Sequence, residues 1–363
     1  MTLKTISICT MLAASTAVTA SAQDKSVNIY NWADYFGETT LSDFEASSGI
    51  KPVYDTFDSN DVLETKLLAG GSGYDVVFPG SNRLANQIEA GAYQKVDKSK
   101  LTNLGNIDPQ FMSILAVVDP GNDYAVPYTW GTTGIVVDNA EVAKRMPDAP
   151  IDSWEMIFNP EIVAKFADCG VFVLDSAREI VPAALTYLGK DPHSEAPEDI
   201  EAAMALLAPI RPYLTHFNNG KVIDDIAQGE MCLGVVYNGD VGIALLRADG
   251  AGKTLDVTYS IPKEGTNVYL DVMAIPVDAT HPDEALAFIN YILEPEVIAG
   301  VTNYVYYANA NAAATELVID DIRNDPGTYP SQEMRDKLYP IKAYSPEFLR
   351  DLNRAWTTFK SGQ

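Results

Sequence analysis

Cysteine, histidine and positive charge are scarce in this 363-residue chain: three cysteines, three histidines, and 25 Lys and Arg against 50 Asp and Glu. A formal charge of −25 repels nucleic-acid phosphates and anionic membrane surfaces, so neither is expected as a partner. The few histidines leave little for general-base or metal chemistry. His193, His216 and His281 lie in polar loop contexts, and no G-x-S-x-G, zinc-ligand spacing or adjacent Ser-His arrangement occurs. No metal or cofactor is expected, although a pair of carboxylates leaves a secreted glycoside hydrolase open. Long apolar runs are missing too. Beyond the N-terminal stretch nothing approaches 18 uninterrupted apolar residues, so a soluble mature chain is expected.

The first 22 residues set the compartment. Lys4 gives a positive start, Ile6 to Val18 an apolar core too short to span a bilayer, and Ala20-Ser21-Ala22 an A-x-A cleavage pattern. Residues 1–22 therefore read as a secretory signal peptide cleaved near Ala22. Cys9 follows Ile8 where lipoprotein processing wants a small residue, so no lipid is expected. Cys169 and Cys232 remain, and an isolated pair in an exported chain reads as a disulfide rather than a metal or redox site.

From Val27 onward, short β-branched or aromatic runs alternate with amphipathic stretches, which predicts an α/β fold. The pattern gives strands at 26–30, 51–57 and 74–78, a helix from Asp58-Ser59-Asn60 to Ala69, and a turn at Gly70-Gly71-Ser72-Gly73. No Gly-Lys-Ser/Thr follows those glycines, so they do not read as a phosphate loop. A crossover near Pro127-Tyr128-Thr129-Trp130 opens a second series: strands at 171–174 and 231–237 with a helix around 200–207 between them. The strand at 268–276 and the helix at 282–293 read as a return to the first unit. Two crossovers predict discontinuous lobes, residues 23–130 with 272–308 and residues 131–271 with 309–363, and a ligand cleft between them.

Acids stand beside aromatics at the predicted strand ends. Trp32, Asp34 and Tyr35 close the first strand. Glu179 follows Ser176 at capping-box spacing and is equally a cap or a ligand contact. Asp240 comes three residues after Tyr237, where it is either a helix N-cap or a functional acid. In Val268 to Ala274 a period of two puts Tyr269, Asp271 and Met273 on one face, and a carboxylate there needs either a structural Arg or Lys or a ligand ammonium. Tyr306 and Tyr307 add phenols. Carboxylates among rings, with few cations, suit a ligand of amines joined by methylenes: the acids take the ammonium ends, and the rings hold the chain and add cation–π attraction.

The series I-Y-N-W-A-D-Y, Y-D-T-F-D-S-N-D-V-L-E-T-K-L-L-A-G, P-Y-T-W-G-T-T-G-I, T-Y-L-G-K-D-P, S-I-P-K-E-G and Y-Y-A-N-A-N, ending in R-A-W-T-T-F-K-S-G, resembles the periplasmic putrescine-binding proteins of ABC transporters. The resemblance spans nearly the whole mature chain. It implies a two-lobed periplasmic binding protein fold of type II, acting as a monomer, that closes on a linear polyamine and presents it to an inner-membrane permease. Putrescine is the first expectation, with spermidine, cadaverine, agmatine or a carboxylated amine behind it, and a ferric-iron binder of similar fold as a remoter alternative. The resemblance also implies a bond between Cys169 and Cys232. By motif, Trp32 and Tyr35 would wall the amine, Tyr237, Tyr269 and Tyr307 would line the methylenes, and Glu179, Asp240 and Asp271 would take ammonium groups directly or through water. Departures stand at Ala33 and Gly80, where the family commonly has Ser, leaving only backbone groups to contact the ligand. Tyr237 replaces a usual Trp. Arg83 replaces a usual aromatic and is expected to pair with Asp34 or else to face the ligand.

Overall fold

The computed structural model describes residues 25–57, 59–217, 221–342 and 344–362. The expected signal peptide, and Asp58 at the start of an expected helix, lie outside the described residues.

Strands β1 (Ser26–Trp32), β2 (Lys51–Phe57) and β3 (Val76–Val77) pair in parallel in the order β2-β1-β3. The helix between β2 and β3, Asn60–Leu68, starts where Ser59 accepts a hydrogen bond from the Val62 amide. The glycine-rich turn after it needs its glycines: Gly70, Gly71 and Gly73 all have positive φ. β3 is shorter than the predicted strand at 74–78. There the Asp75 carboxylate accepts from the amides of Asn28, Thr280 and His281, so a side chain takes donors that a longer ladder would use.

The element that joins everything is β4 (Ala125–Asp138), fourteen residues long and buried along nearly its whole length. β5 (Val171–Val173), β6 (His216–Phe217), β7 (Leu233–Tyr237), β8 (Val257–Ser260) and β9 (Asn267–Ala274) follow. The first half of β4 pairs antiparallel with β9, from Ala125↔Ala274 to Thr132↔Val268. Its second half pairs antiparallel with β7 and β8. β9 also meets β3, and β7 continues through β5 to β6. One sheet thus serves the first lobe, another the second, and β4 belongs to both. This is the two-lobed α/β fold that the alternation and the two crossovers predict.

The cores follow the same division. One cluster packs Val27, Phe44, Phe78 and Trp130 against Val268, Leu270 and Phe288; it also takes Ala310, Ala314, Val318 and Ile322. Residues 268 and 270, and 310 to 322, thus pack with the first lobe, although the sequence pattern groups them with the second. Two further clusters cover the faces of the second sheet, one running from Ile135 through Trp154 and Val235 to Trp356, the other around Val136, Phe172 and Ala244. Cys169 and Cys232 are bonded, and they lie just before the register pair Val171↔Leu233 of β5 and β7.

Candidate functional site

The site forms where β4, β7 and β9 bring strand ends from both lobes together. Asp271 is the residue of β9 opposite Thr129 of β4, and Gly80 bridges to it from the other side. This register buries the carboxylate between two backbones, leaving it 7% exposed. The Tyr35 hydroxyl donates to its Oδ2 at 2.7 Å, while Thr129 Oγ1 donates to that hydroxyl at 3.1 Å. Tyr35 is held in turn by Tyr128, whose hydroxyl donates to the Tyr35 carbonyl.

Asp240 is the third residue of the helix Asn238–Gly250, which starts as β7 ends. Its side chain does not cap the helix. It accepts instead from the Tyr307 hydroxyl at 3.2 Å, and the Tyr307 ring meets the edge of Tyr35 with centroids 5.2 Å apart. Gly239 makes this approach possible, because a Cβ there would run into the Tyr307 ring.

Glu179 occupies the same place in the helix Ala177–Tyr187, and the capping box does not form: Ser176 makes no side-chain cap bond. The carboxylate turns inward, to Thr133 Oγ1 at 2.8 Å and the Tyr237 hydroxyl at 3.5 Å. Tyr237 lies edge-to-face with Tyr269 at 5.2 Å, and the Tyr269 hydroxyl donates to Asn238 Oδ1. Gly131 leaves room for that hydroxyl and amide.

Among the described residues no Lys or Arg forms an ion pair with Glu179, Asp240 or Asp271, so the structural-cation alternative for Asp271 does not hold. Burial therefore dominates all three. It pushes each carboxyl up to about 7, against the smaller opposing pull of the hydroxyls of Thr133 on Glu179, Tyr307 on Asp240 and Tyr35 on Asp271. All three charges are felt at the Tyr237 phenol, which marks them as one cluster. Burial likewise raises the phenols of Tyr35, Tyr269 and Tyr307 well above their ordinary range, so they remain neutral donors.

The structure thus brings together Tyr35, Gly80, Glu179, Tyr237, Asp240, Tyr269, Asp271 and Tyr307. It does not bring in every expected residue. Trp32 is half-buried with its ring on Phe57, 4.6 Å between centroids, while Ala33 and Asp34 are exposed and Asp34 has a φ of 55°. Arg83 pairs with Asp61 at 2.7 Å, not with Asp34, because the helix Ser81–Glu89 faces it toward the helix after β2. Sequence reasoning passed over Thr129, Thr133 and Asn238. For the threonines a signal existed: with Gly131 they share one face of a strand that reads only as a crossover.

The bacterial extracellular solute-binding protein family matches residues 39–329. The chain is 47% identical over 361 residues to the putrescine-binding periplasmic protein SpuD of Pseudomonas aeruginosa, covering 99% of this chain and 98% of that one. It is 44% identical over 347 residues to the putrescine-binding periplasmic protein PotF of Escherichia coli, covering 95% and 94%. In structure it is similar to the spermidine/putrescine transporter substrate-binding protein PotD of Streptococcus pneumoniae, with a TM-score of 0.83 at 28% identity over 93% of this chain and 99% of that one. The two lobes joined through β4, and the matching of most of its length, establish that this chain belongs to the bacterial extracellular solute-binding proteins.

Proposed function

We propose that the mature chain is a periplasmic binding protein that captures a linear polyamine, putrescine first, and delivers it as a monomer to an inner-membrane ABC permease. Export through a signal peptide cleaved near Ala22 places it in that compartment. The observation that carries the ligand class is the set of three buried carboxylates, Glu179, Asp240 and Asp271, among tyrosines and without a cation partner. A diammonium ligand would supply the missing charge from within, through charge-assisted hydrogen bonds, with Tyr35, Tyr237, Tyr269 and Tyr307 around its methylenes. Neither Trp32 nor Ala33 joins the cluster, so they would contact only the ligand itself, Trp32 closing one end and Ala33 through its backbone, while Gly80 already bridges to Asp271. The names of the relatives at 47% and 44% identity support the same ligand.

The protein in this reading binds and releases without turning its ligand over. Ferric iron fits less well, because a phenolate ligand must lose its proton and burial holds the Tyr307 phenol protonated. Titration calorimetry against putrescine, cadaverine, agmatine and spermidine tests the proposal. Saturable one-to-one binding of at least one diamine is expected. Heat from none of them would refute it.

A further inference from the structure

Arg178 stands directly before Glu179 in sequence and at the junction of the two lobes in space. Its Nη1 donates to the carbonyl of Asn82, in the helix Ser81–Glu89 of the first lobe, at 3.4 Å. That helix adjoins the site through its first residues: Gly80 bridges to Asp271, and Ser81 Oγ accepts from the Leu270 amide. Arg178 thus reaches from the helix that bears Glu179 to the helix whose N-cap, Gly80, bridges to Asp271. Among the described residues it makes no ion pair, in a chain with twice as many acids as bases. Arg83, the next residue after Asn82, adds a second guanidinium, itself bound to Asp61. Burial first, and then the charge of Arg83, holds the Arg178 guanidinium below its ordinary value. The charge of Arg83 is thus felt at Arg178, and that of Arg178 at the Glu179 carboxylate.

Resting on the polyamine reading above, we infer that Arg178 is a specificity-determining residue that limits ligand length, admitting a diamine whose ammonium stops at Glu179 and repelling a third ammonium beyond it. The chemistry is that of like charges in a partly desolvated setting. A triamine extended past Glu179 would bring a secondary or primary ammonium up to a guanidinium that forms no ion pair among the described residues, where the charge of Arg83 is felt more strongly than that of Glu64 or Asp61. That repulsion is worth about ten- to a hundredfold in affinity at intermediate effective dielectric. Arg83 reinforces it from the opposite lobe, but the ion pair with Asp61 offsets its charge.

Calorimetry with putrescine and spermidine on the wild type, Arg178→Lys, Arg178→Gln and Arg178→Glu tests the inference. The wild type is expected to prefer putrescine by at least about tenfold. Arg178→Lys keeps most of that preference, Arg178→Gln loses it, and Arg178→Glu favours spermidine. A merely structural role would lower both affinities together and leave their ratio unmoved, which would overturn the inference; so would a wild type that binds both amines equally. Tighter binding of γ-aminobutyrate than of putrescine would also overturn it, since the guanidinium would then be a ligand for a carboxylate. Failure of the wild type to bind any diamine would instead refute the polyamine reading itself, and the two failures are told apart by the wild-type titration alone.

Discussion

Asp271 concentrates the electrostatics of the site. Its carboxyl is pushed up to about 7 by burial, as are those of Glu179 and Asp240. A carboxyl whose folded value lies above its unfolded value near 4 holds a proton in the folded state that the unfolded chain has released. Its contribution to stability is therefore full below about pH 4 and is lost as pH rises through about 7. A bound ammonium has the opposite effect, drawing the carboxylate into its ionised form, so amine binding should release protons near neutral pH and weaken as pH falls below about 7. Asp271→Asn keeps the shape and removes one of these groups. It is expected to cost about 2 to 5 kcal/mol of diamine affinity while leaving the melting temperature of the ligand-free protein unchanged or raised at pH 7.5, and to reduce the protons released on binding. Calorimetry in buffers of different ionisation enthalpy, with thermal melting of the free protein, measures all three. Affinity within threefold of wild type would remove Asp271 from the anchor role. Asp271 was legible in the sequence because a carboxylate inside an apolar strand demands an explanation, whereas Glu179 and Asp240 could equally have been helix caps. Asn238 was not legible, since its role comes from a contact with Tyr269, 31 positions away.

At the scale of elements, β7 carries two jobs at its two ends. Cys232 precedes it and holds the start of β5 through Cys169, while Tyr237 ends it and delivers the helix that bears Asp240. The disulfide closes a sequence separation of 63 residues, for which the chain-entropy model gives roughly 4 kcal/mol. Replacing both cysteines by Ser should therefore lower stability by about 2 to 5 kcal/mol and leave putrescine affinity nearly unchanged. Denaturant unfolding and calorimetry on the same double variant separate the two effects; an affinity loss as large as the stability loss would mean that the bond shapes the site itself. The short strands were easier to read than the long one. Residues 51–57 form a strand as the β-branched and aromatic pattern predicts, whereas β4 reads as a crossover because Pro127, Gly131 and Gly134 interrupt its pattern. Those glycines are demanded by neighbours distant in sequence: a Cβ at Gly131 would meet Tyr269 and Asn238, and one at Gly134 would meet Tyr259. Local propensity has no access to that requirement.

For the whole molecule, the division of the proposed ligand groups between lobes implies motion. Tyr35 and Tyr307 pack with the first core, as do the neighbours Leu270 and Val272 of Asp271, and Glu179, Tyr237 and Asp240 come from the second lobe, so all can meet a ligand only when the lobes are together. Small-angle scattering should show a smaller radius of gyration with saturating putrescine than without it. Superimposable curves would mean that the lobes are locked in one arrangement. The three uncompensated carboxylates then have a further consequence. Above neutral pH, an enclosure that gathers three negative charges and excludes water is at odds with itself until a cation enters, so the empty protein is biased toward gaping and the loaded one toward shutting. A membrane receiver that responds to the shut outline alone would in this way be told about cargo rather than about protein, and would seldom spend a cycle on an empty carrier.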